Sequence, residues 1–177
     1  MLEYHDREWG VPAHDDRRLF EFMLLEGAQA GLSWMTILRR REAYREAFAG
    51  FDPLRIARFD RRKVESLMRN AAIIRNRLKI ESAIQNARAY VALREGGETL
   101  DAFMWKFVGG SPIVNRWKSV SQIPASTPVS DAMSKAMKKA GFTFFGTTIC
   151  YAHMQAIGMV NDHFASCFRY RELTRSR

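Results

Sequence analysis

Apolar residues recur at three- and four-residue intervals along almost the whole chain, and almost nowhere do they alternate as a half-buried strand requires. That periodicity predicts a fold built from helices. Asp15 or Asp16 can cap a helix that turns Leu19, Phe20, Met23 and Leu24 toward a core, with Gly27 and Gly31 loosening its later part. A second helix restarts near Ser33 with Trp34, Ile37 and Leu38 inward and Arg39, Arg40 and Arg41 toward solvent. Asp52-Pro53 opens another, with proline at the first helical position. Val64, Leu67 and Met68 continue the pattern. A long helix over about 75–94 presents Leu78, Ile80, Ile84, Ala87 and Val91 and stops at Gly96-Gly97, after which Thr99 or Asp101 caps a short helix over 103–108.

The stretch 109–128, rich in glycine, proline and serine, reads as a crossing loop between two lobes. Beyond it, Ser130-Asp131 can cap a helix through Met133, Ala136 and Met137 that Gly141 stops. A tight turn at Phe142-Thr143-Phe144-Phe145-Gly146 then leads into an apolar helix from Thr147-Thr148. This places a helix, hairpin, helix unit at about 130–160. With 177 residues, 47% of them hydrophobic and 12% aromatic, the chain has material for one core or two small lobes. The expectation is an all-α, two-lobed helical bundle forming a single unit over 1–177.

One carboxylate stands out within it. Glu26 lies in Leu24-Leu25-Glu26-Gly27-Ala28-Gln29-Ala30-Gly31-Leu32-Ser33-Trp34, among apolar and small residues with no cation within several positions. Burial disfavours an ionised carboxylate unless hydrogen bonds or a positive charge compensate, so Glu26 either finds a partner in the fold or awaits a cationic ligand. The overall balance, 28 Lys and Arg against 19 Asp and Glu, gives a net charge of +9 and points to a polyanion, nucleic acid first. The free amides of Thr147, Thr148 and Ile149, at a helix start beside Gly146 and near Lys135, Lys138 and Lys139, offer a seat for a phosphate oxygen; a plain helical corner is the alternative. No run approaches the ~18 apolar residues of a membrane span, and the first residues lack an export signal, so a cytoplasmic location and no membrane partner are expected. Cys150 and Cys167 then read as free thiols or ligands. His163 and Cys167 are four residues apart, which on a helix puts both on one face; with His5 they make three candidate metal ligands, or an accidental pair.

Taken in order, Tyr4-His5-Asp6, Glu8-Trp9-Gly10-Val11-Pro12, Leu25-Glu26-Gly27, Gln29-Ala30-Gly31-Leu32-Ser33-Trp34, Gly146-Thr147-Thr148-Ile149-Cys150-Tyr151 and Val160-Asn161-Asp162-His163 resemble the bacterial 3-methyladenine DNA glycosylase I family over nearly the whole chain. The resemblance implies an all-α fold of the helix-hairpin-helix DNA glycosylase type. It implies hydrolytic removal of N3-methylated adenine from double-stranded DNA, with the base flipped into a pocket where Glu26 acts between the aromatic walls of Tyr4 and Trp34, with Trp9 close by. No obligate protein partner is implied.

The resemblance further makes Leu32 the candidate plug for the gap left by the flipped base, with simple core packing as the alternative, and it leaves Gly146, Thr147 and Thr148 as the DNA contacts already read from the helix start. Related glycosylases carry an Asp where Asn161 falls here, and those that cut the strand carry a Lys where Thr148 falls. An amide supplies no anion and a threonine forms no Schiff base, so a monofunctional hydrolase is expected, with the role of Asp162 open. A structural zinc ion is implied at His5, His163 and Cys167. Its fourth family ligand, a cysteine in a Cys-Gly-Trp segment, is absent because the sequence starts after that segment, so truncation, a water or foreign ligand, and loss of zinc stay open. Two rival readings are a DNA-binding module without catalysis and a zinc-stabilised interaction domain.

Overall fold

A burial pattern that covers a helix on every side, rather than along one stripe, marks the centre of an all-helical molecule. In the computed structural model, which describes residues 1–175, that helix is α2 (Asp16–Gln29): every residue from Leu19 to Ala28 is buried. Asp15 caps it by accepting from the Arg18 amide, and its path runs unbroken through Gly27. The expected loosening is confined to the far end, where Gly31, at φ +77°, takes a left-handed turn that side chains disfavour. Ser176 and Arg177, within the span expected of the single unit, lie outside the described residues.

Around α2 the helices fall into two groups. One comprises α3 (Trp34–Leu38), α4 (Arg41–Ala47), α5 (Pro53–Ile56), α6 (Arg61–Arg69) and α7 (Arg77–Glu95). The other comprises α8 (Leu100–Trp105), α9 (Pro128–Lys139), α10 (Thr147–Ala156) and α11 (Phe168–Arg175). α7 packs on α5, α6 and α2, while α10 packs on α9 and α2, so α2 belongs to both cores. The first helix, α1 (Leu2–Arg7), joins the second group through its contacts with residues 163–168. The expected all-α architecture is observed.

Most helix starts follow the side-chain chemistry that predicts them: Ser33, Asp52 and Thr99 each accept from a backbone amide of the first turn they cap. The start of α9 differs. Thr127, not Ser130 or Asp131, is the cap, and Ser130 closes a reciprocal capping box with Pro128 at the first helical position. The crossing loop contains the strand β1 (Ile113–Val114), which pairs in parallel with β2 (Val160–Asn161). Two-residue strands leave no alternation for a sequence to display.

Expectations about facing are overturned at four residues. Arg41 does not leave toward solvent: its Nε donates to Glu21 at 2.8 Å and its NH1 to Glu8 at 2.8 Å, and those two carboxylates hold it half-buried. Arg40 donates to the carbonyls of Ala71 and Ala72 and is likewise tethered. On α7, Leu78 is exposed and Val91 half-buried, because the neighbours of that helix cover the Ile80, Ile84 and Ala87 face. Gly158 is a position that only glycine fills: at φ +74° a Cβ there would lie 2.7 Å from the Gly10 carbonyl oxygen. That close approach seats the end of α10 against residues 10–13, where the Ala13 amide donates to the Ile157 carbonyl at 3.0 Å.

Candidate active site

Two glutamates of α2 are buried, and their surroundings differ. Glu21, 6% exposed, is clasped by Arg41 and Arg45. Glu26, 4% exposed, makes no hydrogen bond and no ion pair among the described residues, and burial alone pushes its carboxyl from 4.5 up to about 8. It acts on Tyr4, whose hydroxyl is driven above its ordinary range by burial and then by the charge of Glu26. A carboxylate left so exposed to desolvation is an incomplete site.

The space beside Glu26 is a cavity of about 560 Å³ whose walls include Tyr4, Trp9, Trp34, Gln29 and Gln155. The Tyr4 and Trp34 rings lie 5.7 Å apart at 54°, with the Trp34 indole N–H buried beside the Tyr4 hydroxyl. Glu26 and Trp34 meet here across the Gly31 break, not along one continuous helix. Charge from outside the cavity is neutralised locally, since Glu8 is held by Arg18 and Arg41. A cationic, flat, aromatic ligand fits this arrangement: the rings offer their faces and Glu26 offers the only unpaired buried carboxylate among the described residues.

At the rim, Ala30 to Ser33 form the turn that leads from α2 to α3. Lys79 Nζ holds this turn by donating to the Ala28 and Ala30 carbonyls at 2.9 and 2.6 Å, and Gln29 Nε2 donates to the Leu32 carbonyl at 2.9 Å. Leu32 at its tip is 38% exposed and so does not pack in the core. The hairpin helix α10 starts at Gly146 with no side-chain cap, which leaves its first amides free, and a Cβ at Gly146 would meet nothing within 4 Å. Gly146 and Thr148 are exposed. The Thr147 hydroxyl is already engaged by Asp131 and Ser130, so Thr147 can offer a ligand its backbone amide only.

His5, His163 and Cys167 converge, with ligating atoms all within 4.8 Å of one another. Cys167 Sγ is 3.7 Å from His5 Nε2 and 3.8 Å from His163 Nδ1. The expected reason was wrong, however: residues 163–167 form a loop, and it is this loop, not a helical face, that gathers them. Asp6 accepts from His5 Nδ1 at 2.7 Å and the Trp9 carbonyl from His163 Nε2 at 3.1 Å. Each ring therefore turns its lone pair toward the sulfur.

Asn161 faces away from the cavity, donating to the Tyr170 carbonyl and to Thr174 on α11. Asp162 is buried and receives Asn115, Trp117, Tyr151 and Gln155. Gln29 stands in a motif visible in the sequence but is assigned no role there, and no local signal marks Gln155 or the Lys79 tether, because each is defined by a partner elsewhere in the fold or by the cavity itself.

The chain matches the methyladenine glycosylase family over residues 1–170. It is 52% identical to DNA-3-methyladenine glycosylase 1 of Escherichia coli (strain K12) over 169 residues, 96% of this chain and 90% of the relative. A crystal structure of a 3-methyladenine DNA glycosylase I superposes with a TM-score of 0.93 at 54% identity, covering 94% of this chain and 92% of that one. A Staphylococcus aureus 3-methyladenine DNA glycosylase I, solved to explain 3-methyladenine recognition, gives 0.91 at 32% identity, covering 94% and 89%. On the evidence of sequence, fold and cavity together, the chain belongs to the methyladenine glycosylase family.

Proposed function

We propose that this protein is a DNA-3-methyladenine glycosylase that removes the base by hydrolysis, acts on alkylated duplex DNA inside the cell, and leaves the strand uncut. The observation that carries this is Glu26, buried without a partner in an aromatic cavity. Methylation at N3 gives adenine a positive charge. A flipped 3-methyladenine nucleotide brings that charge between Tyr4 and Trp34, where each face contributes roughly 0.5–2 kcal/mol to a desolvated cation. Glu26 accepts from the edge of the base and balances its charge, whereas a neutral adenine leaves the carboxylate uncompensated.

The reaction needs little more from the protein. The C1′–N9 bond breaks, its electron pair passes to the base, which leaves neutral, and water adds to C1′ with loss of a proton to solvent. No lysine occupies the Thr148 position to form a Schiff base with C1′, which supports a hydrolase without strand scission. Asp162 carries four hydrogen bonds from the protein, which supports a structural role for it rather than that of a free anion facing the sugar.

Zinc is proposed at His5 Nε2, His163 Nδ1 and Cys167 Sγ. Separations of 3.7 and 3.8 Å from sulfur to nitrogen suit bonds of about 2.3 and 2.0 Å in a tetrahedron, and both rings are already set in the ligating tautomer. Such an ion would tie α1, which carries Tyr4, to the loop after β2, and so brace the cavity wall. Held there, it would contribute to folding rather than to the chemistry.

Incubation with methylated duplex DNA followed by chromatography of the small-molecule fraction tests the activity. Free 3-methyladenine and alkali-labile but otherwise intact strands are expected. Tight DNA binding with no base released would replace the enzyme with a binding module.

A further inference from the structure

On α3, Trp34 and Thr36 face opposite ways. Two residues of α-helix turn through about 200°, so that Trp34 lines the cavity beside Glu26 while Thr36 opens into a separate cavity on the far side of the helix. This second cavity, of about 430 Å³, is lined by Thr36, Arg39, Arg40, Ala43 and Ala72, two guanidinium groups and no carboxylate. The Arg39 side chain is exposed and has no hydrogen bond or ion pair among the described residues. Arg40 is half-buried, and its NH1 donates to the carbonyls of Ala71 and Ala72 at 3.1 and 3.0 Å. Those two bonds use one nitrogen of a planar five-donor group, fix its plane and leave Nε and NH2 unengaged by the described residues. A fixed fork beside a free one, with no acid in the walls, suits an anion that presents several oxygens.

We infer that Arg39 and Arg40 hold a backbone phosphate of the DNA strand opposite the flipped nucleotide, an inference that rests on the proposed action on duplex DNA. The flipped base enters the cavity on the Trp34 side of α3, so the strand that yields it lies on that side of the turn formed by residues 30–33. Its complement then runs toward the Thr36 side, where the two arginines stand. Phosphate is the part of DNA that fits them. It is anionic whatever the sequence, and a planar guanidinium meets two of its oxygens at once. The contact sets position and carries no base preference. The free amides at the start of α10 lie in the other group of helices, so a duplex held at both places is clamped across α2.

A duplex with one abasic site is the probe, and phosphates near that site are replaced one at a time, on either strand, by uncharged methylphosphonates. For the parent, affinity is expected to fall when a particular phosphate of the complementary strand is neutralised. In Arg39→Gln the penalty at that position should shrink several-fold while all others stay as in the parent, and the slope of log affinity against log salt should become shallower by about one. The urea midpoint should not move, because the side chain replaced is exposed and unpartnered. Identical penalties in parent and variant overturn the inference, and are the result expected if the cavity serves free phosphate instead. A lost contact that maps to the strand carrying the abasic site, or a uniform weakening at every position, overturns it as well. Failure of the proposed function reads out separately, as no base released from methylated duplex DNA by the parent, whichever way the scan falls.

Discussion

Replacing Glu26 with glutamine should make the protein more stable, by an amount that depends on pH in a particular way. Burial moves the carboxyl from 4.5 to about 8, so the folded state holds the proton more tightly than the unfolded chain does. Below pH 4.5 both states are protonated and the parent and Glu26→Gln should unfold alike. Between pH 4.5 and 8 the unfolded chain ionises while the folded one resists, and the parent loses stability relative to the variant by about 1.4 kcal/mol per pH unit. Above pH 8 the difference levels off, at a value on the order of 5 kcal/mol. For a chain of this size that corresponds to a melting temperature higher by on the order of 10 °C in the variant. Urea unfolding of both proteins at several values of pH measures it, since contributions from all other groups cancel in the comparison. A variant as stable as the parent, or less stable, at pH 9 would refute the claim that the Glu26 charge is unpaired in the folded protein.

The same carboxylate sets the pH dependence of catalysis, because its ionised form is the one that attracts the base. Single-turnover kcat/KM on methylated duplex DNA is expected to rise up to tenfold per pH unit below about 8 and to level off above it; a flat profile from pH 5.5 to 9 contradicts this. Lys79→Met removes both tethers of the turn that carries Leu32 and should cost about 1.5 kcal/mol in urea unfolding, the low end for bonds from a charged donor, because the site is partly exposed. An unchanged midpoint would mean that the turn holds itself. Elemental analysis should find zinc in the purified protein, with Cys167→Ser lowering both its occupancy and the melting temperature; a metal-free protein as stable as its metal-loaded form contradicts the proposed site. DNA affinity should fall steeply with added salt, and a salt-independent affinity would remove the phosphate contacts expected of the basic surface.

Much of the architecture was written locally. Asp15, Ser33, Asp52 and Thr99 cap helices because a short polar side chain satisfies amides two or three residues away, a relation a sequence displays directly. The unusual setting of Glu26 was also visible, because apolar and small residues on both sides foretell burial. Where partners come from far along the chain, the sequence was silent. Arg41 is drawn inward by Glu8 and Glu21, which no spacing rule connects to it. His5 lies 162 residues from Cys167, and only the loop after β2 brings them together. Gln155 acquires its orientation from Asp162, seven residues on, through a turn of backbone that helical periodicity does not describe. Exposure of Leu78 shows the converse limit, since an apolar residue in phase with a helix is buried only where a neighbour covers that face.

The account turns on an uncompensated anion drawing in a positively charged base, and removing that charge while keeping its shape tests it most directly. Base release from methylated duplex DNA should be followed under single-turnover conditions for the parent and for Glu26→Gln, alongside the affinity of each for DNA. Losing an interaction of about 3 kcal/mol at the transition state predicts a rate lower by at least about a hundredfold, with affinity for unmodified DNA retained. Release of 3-methyladenine by the variant within a few-fold of the parent would contradict the account.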